Sequence, residues 1–237
     1  IIGGKDLLNG KRFDKGGYIL TYDYDKWSFI DPKEAQKKLN LPRNPRDYTS
    51  IAVTTDDSND EIVYASSMGD GVIQYKNGTP VQSYNEKNAF KETAGGYGSG
   101  YCYIDGLAFD KNGNLWMTSS EVNHAVLVLD KAGAWHRLDI EQLRGVYTIN
   151  DILITSTNDK WIYVPRNTPK LVMIPNSESL DEVSSYEFTT LIDTDGKELT
   201  PSNYTCVAED KDGYIWVGTN RGAVYFTKPR ISSAEDK

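Results

Sequence analysis

Two stretches of this chain match each other at an offset of 100 residues, and no other feature constrains its fold as strongly. Residues 104–118 read IDGLAFDKNGNLWMT, and residues 204–219 read YTCVAEDKDGYIWVGT. Both place Asp-Lys-x-Gly just ahead of a Trp: Asp110, Gly113 and Trp116 in one, Asp210, Gly213 and Trp216 in the other. A third copy, INDILITSTNDKWIYVP at 149–165, keeps the turn and Trp161 but lacks the Gly. A fourth and weaker copy, at 49–67, puts Tyr64 in the Trp place. The anchors Tyr64, Trp116, Trp161 and Trp216 are therefore spaced by 52, 45 and 55 residues. A unit of about 40–50 residues with tight turns and one strong aromatic anchor is the period of a four-stranded propeller blade.

Each unit divides into short strands. In the second, the apolar run Ile104 to Phe109 comes first. The turn Asp110 to Gly113 follows, where Asp and Asn tolerate left-handed angles and Gly reaches positive φ without steric cost. The Trp116 strand, a strand at Ala125 to Leu129, a second Asp-x-x-Gly turn at Asp130 to Gly133 and a strand at Trp135 to Leu138 complete it. The same cadence occurs at Gly71 to Tyr84 and at Gly17 to Ile30. Helix signals are sparse. Asp31 followed by Pro32 and helix formers to Leu39 predicts a turn or two of helix, and Asp139 to Leu143 a shorter one. The expectation is an all-β chain of β-propeller blades of four antiparallel strands. The blades fall at 47–90, 101–145 and 146–195, with partial blades at 1–46 and 200–230. Propellers close with 4–8 blades, and Ile1-Ile2-Gly3-Gly4 reads as the middle of a strand, so an incomplete propeller from a larger chain is expected.

Composition narrows the functions. With 16 Tyr, 5 Trp and aromatics at 11%, the chain has too many core formers to stay disordered. Its net charge of -8 repels phosphate backbones, so no nucleic acid partner is expected. No stretch approaches the roughly 20 apolar residues of a membrane-spanning helix. Cys102 and Cys206 belong to no CxxC or Cys/His spacing, so no metal and no cofactor are expected, and two free, mostly buried thiols are.

The run Glu209 to Gly222, which contains Asp210, Gly213, Trp216, Gly218 and Thr219, resembles the two-component regulator propeller repeat. The 104–138 unit resembles it less fully, with Thr118-Ser119 where the repeat has Gly-Thr, and the third unit has Val164-Pro165 there. That family is found in sensor ectodomains of hybrid two-component proteins of Bacteroidetes and in PorZ-type proteins of the type IX secretion system. The resemblance implies an exported, periplasmic or cell-surface, non-catalytic module. It also implies other blades or domains of the parent chain as partners, and glycan, lipopolysaccharide or secretion-system proteins as ligands. The irregular units are more like the PorZ type. A lyase- or lactonase-type propeller is the enzymatic rival, and it would need axial histidines; only His124 and His136 exist.

Candidate binding residues lie in the loops. Asn123 and His124 follow the Trp116 strand, in a loop of the kind that opens on one face of a propeller. Arg166 and Arg221 each stand five residues after a Trp anchor, as a repeated pair suited to a carboxylate or an acidic sugar. Tyr97 and Tyr101, in and after a glycine-rich stretch, are expected to be exposed and able to stack on a sugar or peptide. Each has a plainer reading as a solvated or packed loop residue. His136, beside Trp135, reads as structural. The acidic run Asp56 to Glu61 lacks the Gly and Glu spacing of a calcium loop and reads as a solvated hairpin.

Overall fold

A computed structural model describes residues 13–90 and 100–226. The first elements are a hairpin, β1 (Ile19–Asp23) and β2 (Lys26–Ile30), and a helix, α1 (Pro32–Leu39). Asp31 caps α1 by accepting from Lys33 N at 2.9 Å, and Asn40 ends it in the left-handed region. Three four-stranded antiparallel arrays follow. The first is β3 (Tyr48–Thr55), β4 (Glu61–Gly69), β5 (Gly71–Lys76) and β6 (Thr79–Tyr84). The second is β7 (Cys102–Phe109), β8 (Leu115–Ser119), β9 (Val126–Leu129) and β10 (Trp135–Leu138). The third is β11 (Ile152–Ile154), β12 (Lys160–Val164), β13 (Lys170–Ile174) and β14 (Tyr186–Phe188). A small hairpin, β15 (Leu191–Ile192) and β16 (Glu198–Leu199), leads to a last sheet of β17 (Tyr204–Glu209), β18 (Ile215–Thr219) and β19 (Gly222–Phe226). The chain is thus nearly all β, in the blade-by-blade order of a propeller.

The repeat motif builds the same hairpin each time. Asp110 Oδ1 accepts from Asn112 N and Asn114 N, while its Oδ2 accepts from Trp116 Nε1, each at 2.9 Å. Gly113 closes the turn at φ 84°, where a side chain would be strained. Asp210 and Gly213 repeat this, with Trp216 Nε1 donating to Asp210 Oδ2 at 2.6 Å. In the third copy Asn158 takes the glycine's place at φ 69°. The acidic run of the first array is likewise a hairpin, Asp56 to Asp60, closed over Lys76 Nζ at 2.7 and 2.8 Å.

Strand alternation gives every sheet two faces, and each sheet packs one face on the next. Tyr64 and Val72 meet Leu107 and Met117 of the second array. Trp116 and Val128 meet Ile162 and Val172 of the third. Trp161 and Met173 meet Ile215 and Val217 of the last. A hydroxyl on the second strand of each array also bridges each joint. Ser66 Oγ donates to Asp105 O and Thr118 Oγ1 to Asn150 O, both at 2.8 Å, and Tyr163 OH donates to Thr205 O at 3.1 Å. Gly106 permits the close approach at the second joint: a Cβ there would lie 2.7 Å from Ile152 N.

Two expectations are corrected. Cys102 is buried, but Cys206 is exposed, because it lies on the outer face of the last sheet; both thiols are free. Tyr101 is not exposed for stacking. It is 3% exposed, its ring packed over Gly69 and beside Met68 and Tyr103.

Candidate functional site

In an up-and-down array, connections between second and third strands all leave from one end, and the passages from one array to the next reach that same end. That rim carries residue 70 and the loops 120–125, 165–169 and 220–221, with the longer passage 139–151. The opposite end is built largely of tight Asp-headed turns. The functional candidates sort onto the loop-bearing rim. Asn123 and His124 are exposed in the loop between β8 and β9. Arg166 is half-buried in the loop between β12 and β13, beside Asn167 at φ 66°. Arg221 is exposed in the two-residue connection between β18 and β19. Topology therefore places Arg166 and Arg221 at equivalent points of adjacent sheets, with Asn123 and His124 on the sheet before.

The repeat residues shape the loop that presents Arg221. Thr219 Oγ1 donates to Gly222 O at 2.7 Å and accepts from Arg221 N at 3.0 Å. Asn220 Oδ1 ties the loop back to Ser202 N at 2.9 Å. A Cβ at Gly218 would crowd the side chains of Thr205 and Cys206, which the glycine leaves in place. On the same rim Arg144 grips Asp139 with Nε and a terminal nitrogen, both at 2.6 Å. That grip, with His124 nearby, holds the Asp139 carboxyl below its usual range.

Tyr97 lies outside the described residues, as does Gly95 to Ser99 of the glycine-rich stretch. Tyr101 is removed from the candidate surface by its burial. One position escaped the sequence reading. Glu121 stands five residues after Trp116, at the place Arg166 and Arg221 occupy in their units. It is nearly buried at φ 59°, and its N–H donates to Val146 O at 2.8 Å. The offset that links the arginines was the signal for it.

His136 sits off the rim, on β10. Its Nε2 is 2.9 Å from Asp130 Oδ2 and its Nδ1 is 3.5 Å from Asp181 Oδ1, and these two carboxylates raise its proton affinity. It lines a cleft of 670 Å³ between β10 and residues 180–184, with Asp139, Asp181 and Glu182. Among the described residues no three His, Cys, Asp or Glu side chains converge as a metal-binding set. Among those residues, too, no helix is long and apolar enough to cross a membrane.

Residues 198–221 match the two component regulator propeller family. No curated protein matches the chain. In solved structures the chain is similar to PorZ, a bacterial surface component of the type IX secretion system of Porphyromonas gingivalis. The TM-score is 0.75 at 21% identity, over 89% of this chain and 29% of that one. It is similar to virginiamycin B lyase of Staphylococcus aureus at a TM-score of 0.55 and 16% identity, over 90% of this chain and 64% of that one. It is similar as well to the extracellular domain of a hybrid two component system of B. thetaiotaomicron, with a TM-score of 0.51 and 17% identity, over 77% and 22% of the two chains. The chain thus spans less than two thirds of each of these structures. At these identities the likeness is one of fold, and the lyase shares it with the surface component and the extracellular domain. Sheet by sheet this chain has the fold of β-propeller blades, and its residues 198–221 match the two component regulator propeller family.

Proposed function

We propose that this region is a non-catalytic binding module of an exported bacterial protein, acting through the loop-bearing rim. Its role is at the cell surface and like that of the type IX secretion component whose fold it shares. The observation that carries the proposal is the recurrence of arginine at one position of adjacent blades, Arg166 after Trp161 and Arg221 after Trp216. A guanidinium presents a planar fork of donors matched to carboxylate or phosphate, and two of them on one rim suit an acidic glycan or the phosphorylated sugar of a lipopolysaccharide. His124 and Asn123 extend the same rim. The similarity to PorZ, at a TM-score of 0.75 against 0.55 for the lyase over a like share of this chain, supports the secretion reading over a catalytic one.

A second reading is a periplasmic, glycan-sensing propeller of a hybrid two-component regulator. The repeat at 198–221 favours it. Other blades or domains of the parent chain are partners under both readings.

The test is binding of acidic glycans and lipopolysaccharide, with the double variant Arg166→Ala/Arg221→Ala beside the unaltered protein. Losing two charge-assisted contacts is expected to weaken binding at least about tenfold. Binding that ignores the double variant removes the arginines from the site. Silence from every glycan removes the glycan reading and leaves protein docking, to be followed by capture of secretion-system components.

A further inference from the structure

The third blade differs from the two before it in how its outer strands are joined. β5 turns into β6 through residues 77–78 and β9 into β10 through 130–134, but β13 reaches β14 only after residues 175–185. Hairpin loops commonly take about 2–5 residues, and longer connections usually carry a role of their own. This segment lies against the second blade. Leu180 and Val183 pack on the core cluster that holds Leu138 and Ile140. Its ends are tied down: Asn176 N donates to Asp159 Oδ1 at 2.8 Å, and Ser185 Oγ donates to Gln142 Oε1 at 2.9 Å. Between these ties runs the 670 Å³ cleft, with residues 180–184 as one wall and β10, the outermost strand of its array, as the other.

The polar link across the cleft is Asp181 Oδ1, 3.5 Å from His136 Nδ1. The other ring nitrogen, Nε2, is 2.9 Å from Asp130 Oδ2 in the turn between β9 and β10. Asp130 is itself fixed by Ala134 N, which donates to its Oδ1 at 2.8 Å. An ionised carboxylate only accepts, and a neutral imidazole carries a single N–H. The neutral ring therefore serves one carboxylate and turns a lone pair on the other, whereas imidazolium has a donor for each. The closer and better-fixed Asp130 keeps the single proton, so Asp181 is the partner that is lost. Other charges surround the ring. Asp139 is held by Arg144, Arg137 donates to Ala89 O at 2.6 Å, Glu182 adds negative charge beside Asp181, and Lys131 is exposed in the turn. The bond to Asp130, helped by Asp181 and opposed by partial burial, lifts the proton affinity of His136 above its ordinary value.

We propose that residues 177–184 form a strap fastened by a proton: imidazolium at His136 holds the strap to β10, and loss of that proton loosens it and widens the cleft. A histidine whose folded pKa is raised above the unfolded value, about 6.5, contributes its bond fully below that pH and loses it as pH rises through the folded value. Loosening uncovers the outer edge of β10, which pairs with no strand on that side among the described residues. The proton thus governs access to an edge able to accept an added strand. The device is independent of what the arginine-bearing rim binds.

The test is hydrogen exchange of the full chain, read by mass spectrometry from about pH 5 to about pH 9 and expressed as protection, which removes the intrinsic pH dependence. Protection of 177–184 is expected to fall about two- to fivefold as pH rises, the range of a partly exposed ion pair. The midpoint is expected to lie above about 6.5 and to match the His136 titration read by NMR. Asp181→Asn leaves the fold intact, because Asp181 is exposed, and is expected to flatten the profile and lower the His136 midpoint. His136→Gln is expected to give a flat profile with the strap loose throughout. Protection that does not change with pH, or a pH dependence that survives Asp181→Asn, would overturn the proposal. A His136 midpoint at or below about 6.5 would overturn it as well.

Discussion

At the scale of single residues, the repeat is an economy of hydrogen bonds, and the third blade breaks it. Asp110 and Asp210 each serve their turn through one carboxylate oxygen and the Trp indole through the other. The third blade has Thr155 in that place. Its hydroxyl accepts from Asp159 N at 3.0 Å, as the aspartate does, but it is too short to reach the indole. Trp161 Nε1 is left buried without a partner, although Trp161 is 1% exposed. An unmet buried donor costs about 1–3 kcal/mol. Thr155→Asp is therefore expected to stabilise the protein by about 1 kcal/mol, the usual net value of a hydrogen bond, read as a raised midpoint in urea denaturation. A lowered midpoint would show that burying the carboxylate outweighs the bond. The sequence displayed the missing Gly of this copy plainly, while the Thr in the Asp place went unread. It did not display the consequence, because whether an indole N–H reaches another acceptor depends on its surroundings.

At the scale of elements, the joints between sheets matter more than the strands. Strand positions were legible: the expected runs at Gly71 to Tyr75 and Ala125 to Leu129 appear as β5 and β9 with ends moved by one residue. The hydroxyl bridges from Ser66, Thr118 and Tyr163 were not legible, since three different residue types perform one task. Nor was the close approach at Gly106. A methyl group there would lie 2.7 Å from Ile152 N and 2.9 Å from Asp151 Cα, and backbone cannot swing aside as a side chain can. Gly106→Ala is expected to force the second and third arrays apart at a cost of about 1–3 kcal/mol, measured as loss of stability in the same denaturation. An unchanged midpoint would mean that the joint is looser than its geometry implies.

At the scale of the whole molecule, stability should fall toward the last sheet, because its outer face is uncovered. Burying a large apolar side chain contributes about 1.5–3 kcal/mol, and Trp216 and Tyr225 forgo much of that. Native-state hydrogen exchange of the isolated chain is expected to show amides of β18 exchanging at least about tenfold faster than those of β8, whose faces are both covered. Equal protection would show the chain unfolding as a single unit. The sequence by itself determined the fold class, the turns and the anchors. Those rest on local rules: a two-residue alternation, an Asp-x-x-Gly turn that few residues replace, and an indole within reach of its own hairpin's carboxylate. Only the tertiary structure decided which anchors are buried, and that Tyr101 packs on Gly69 while Cys206 faces solvent. These depend on which sheet lies against which, and residues brought together by packing between sheets leave no fixed spacing in the chain.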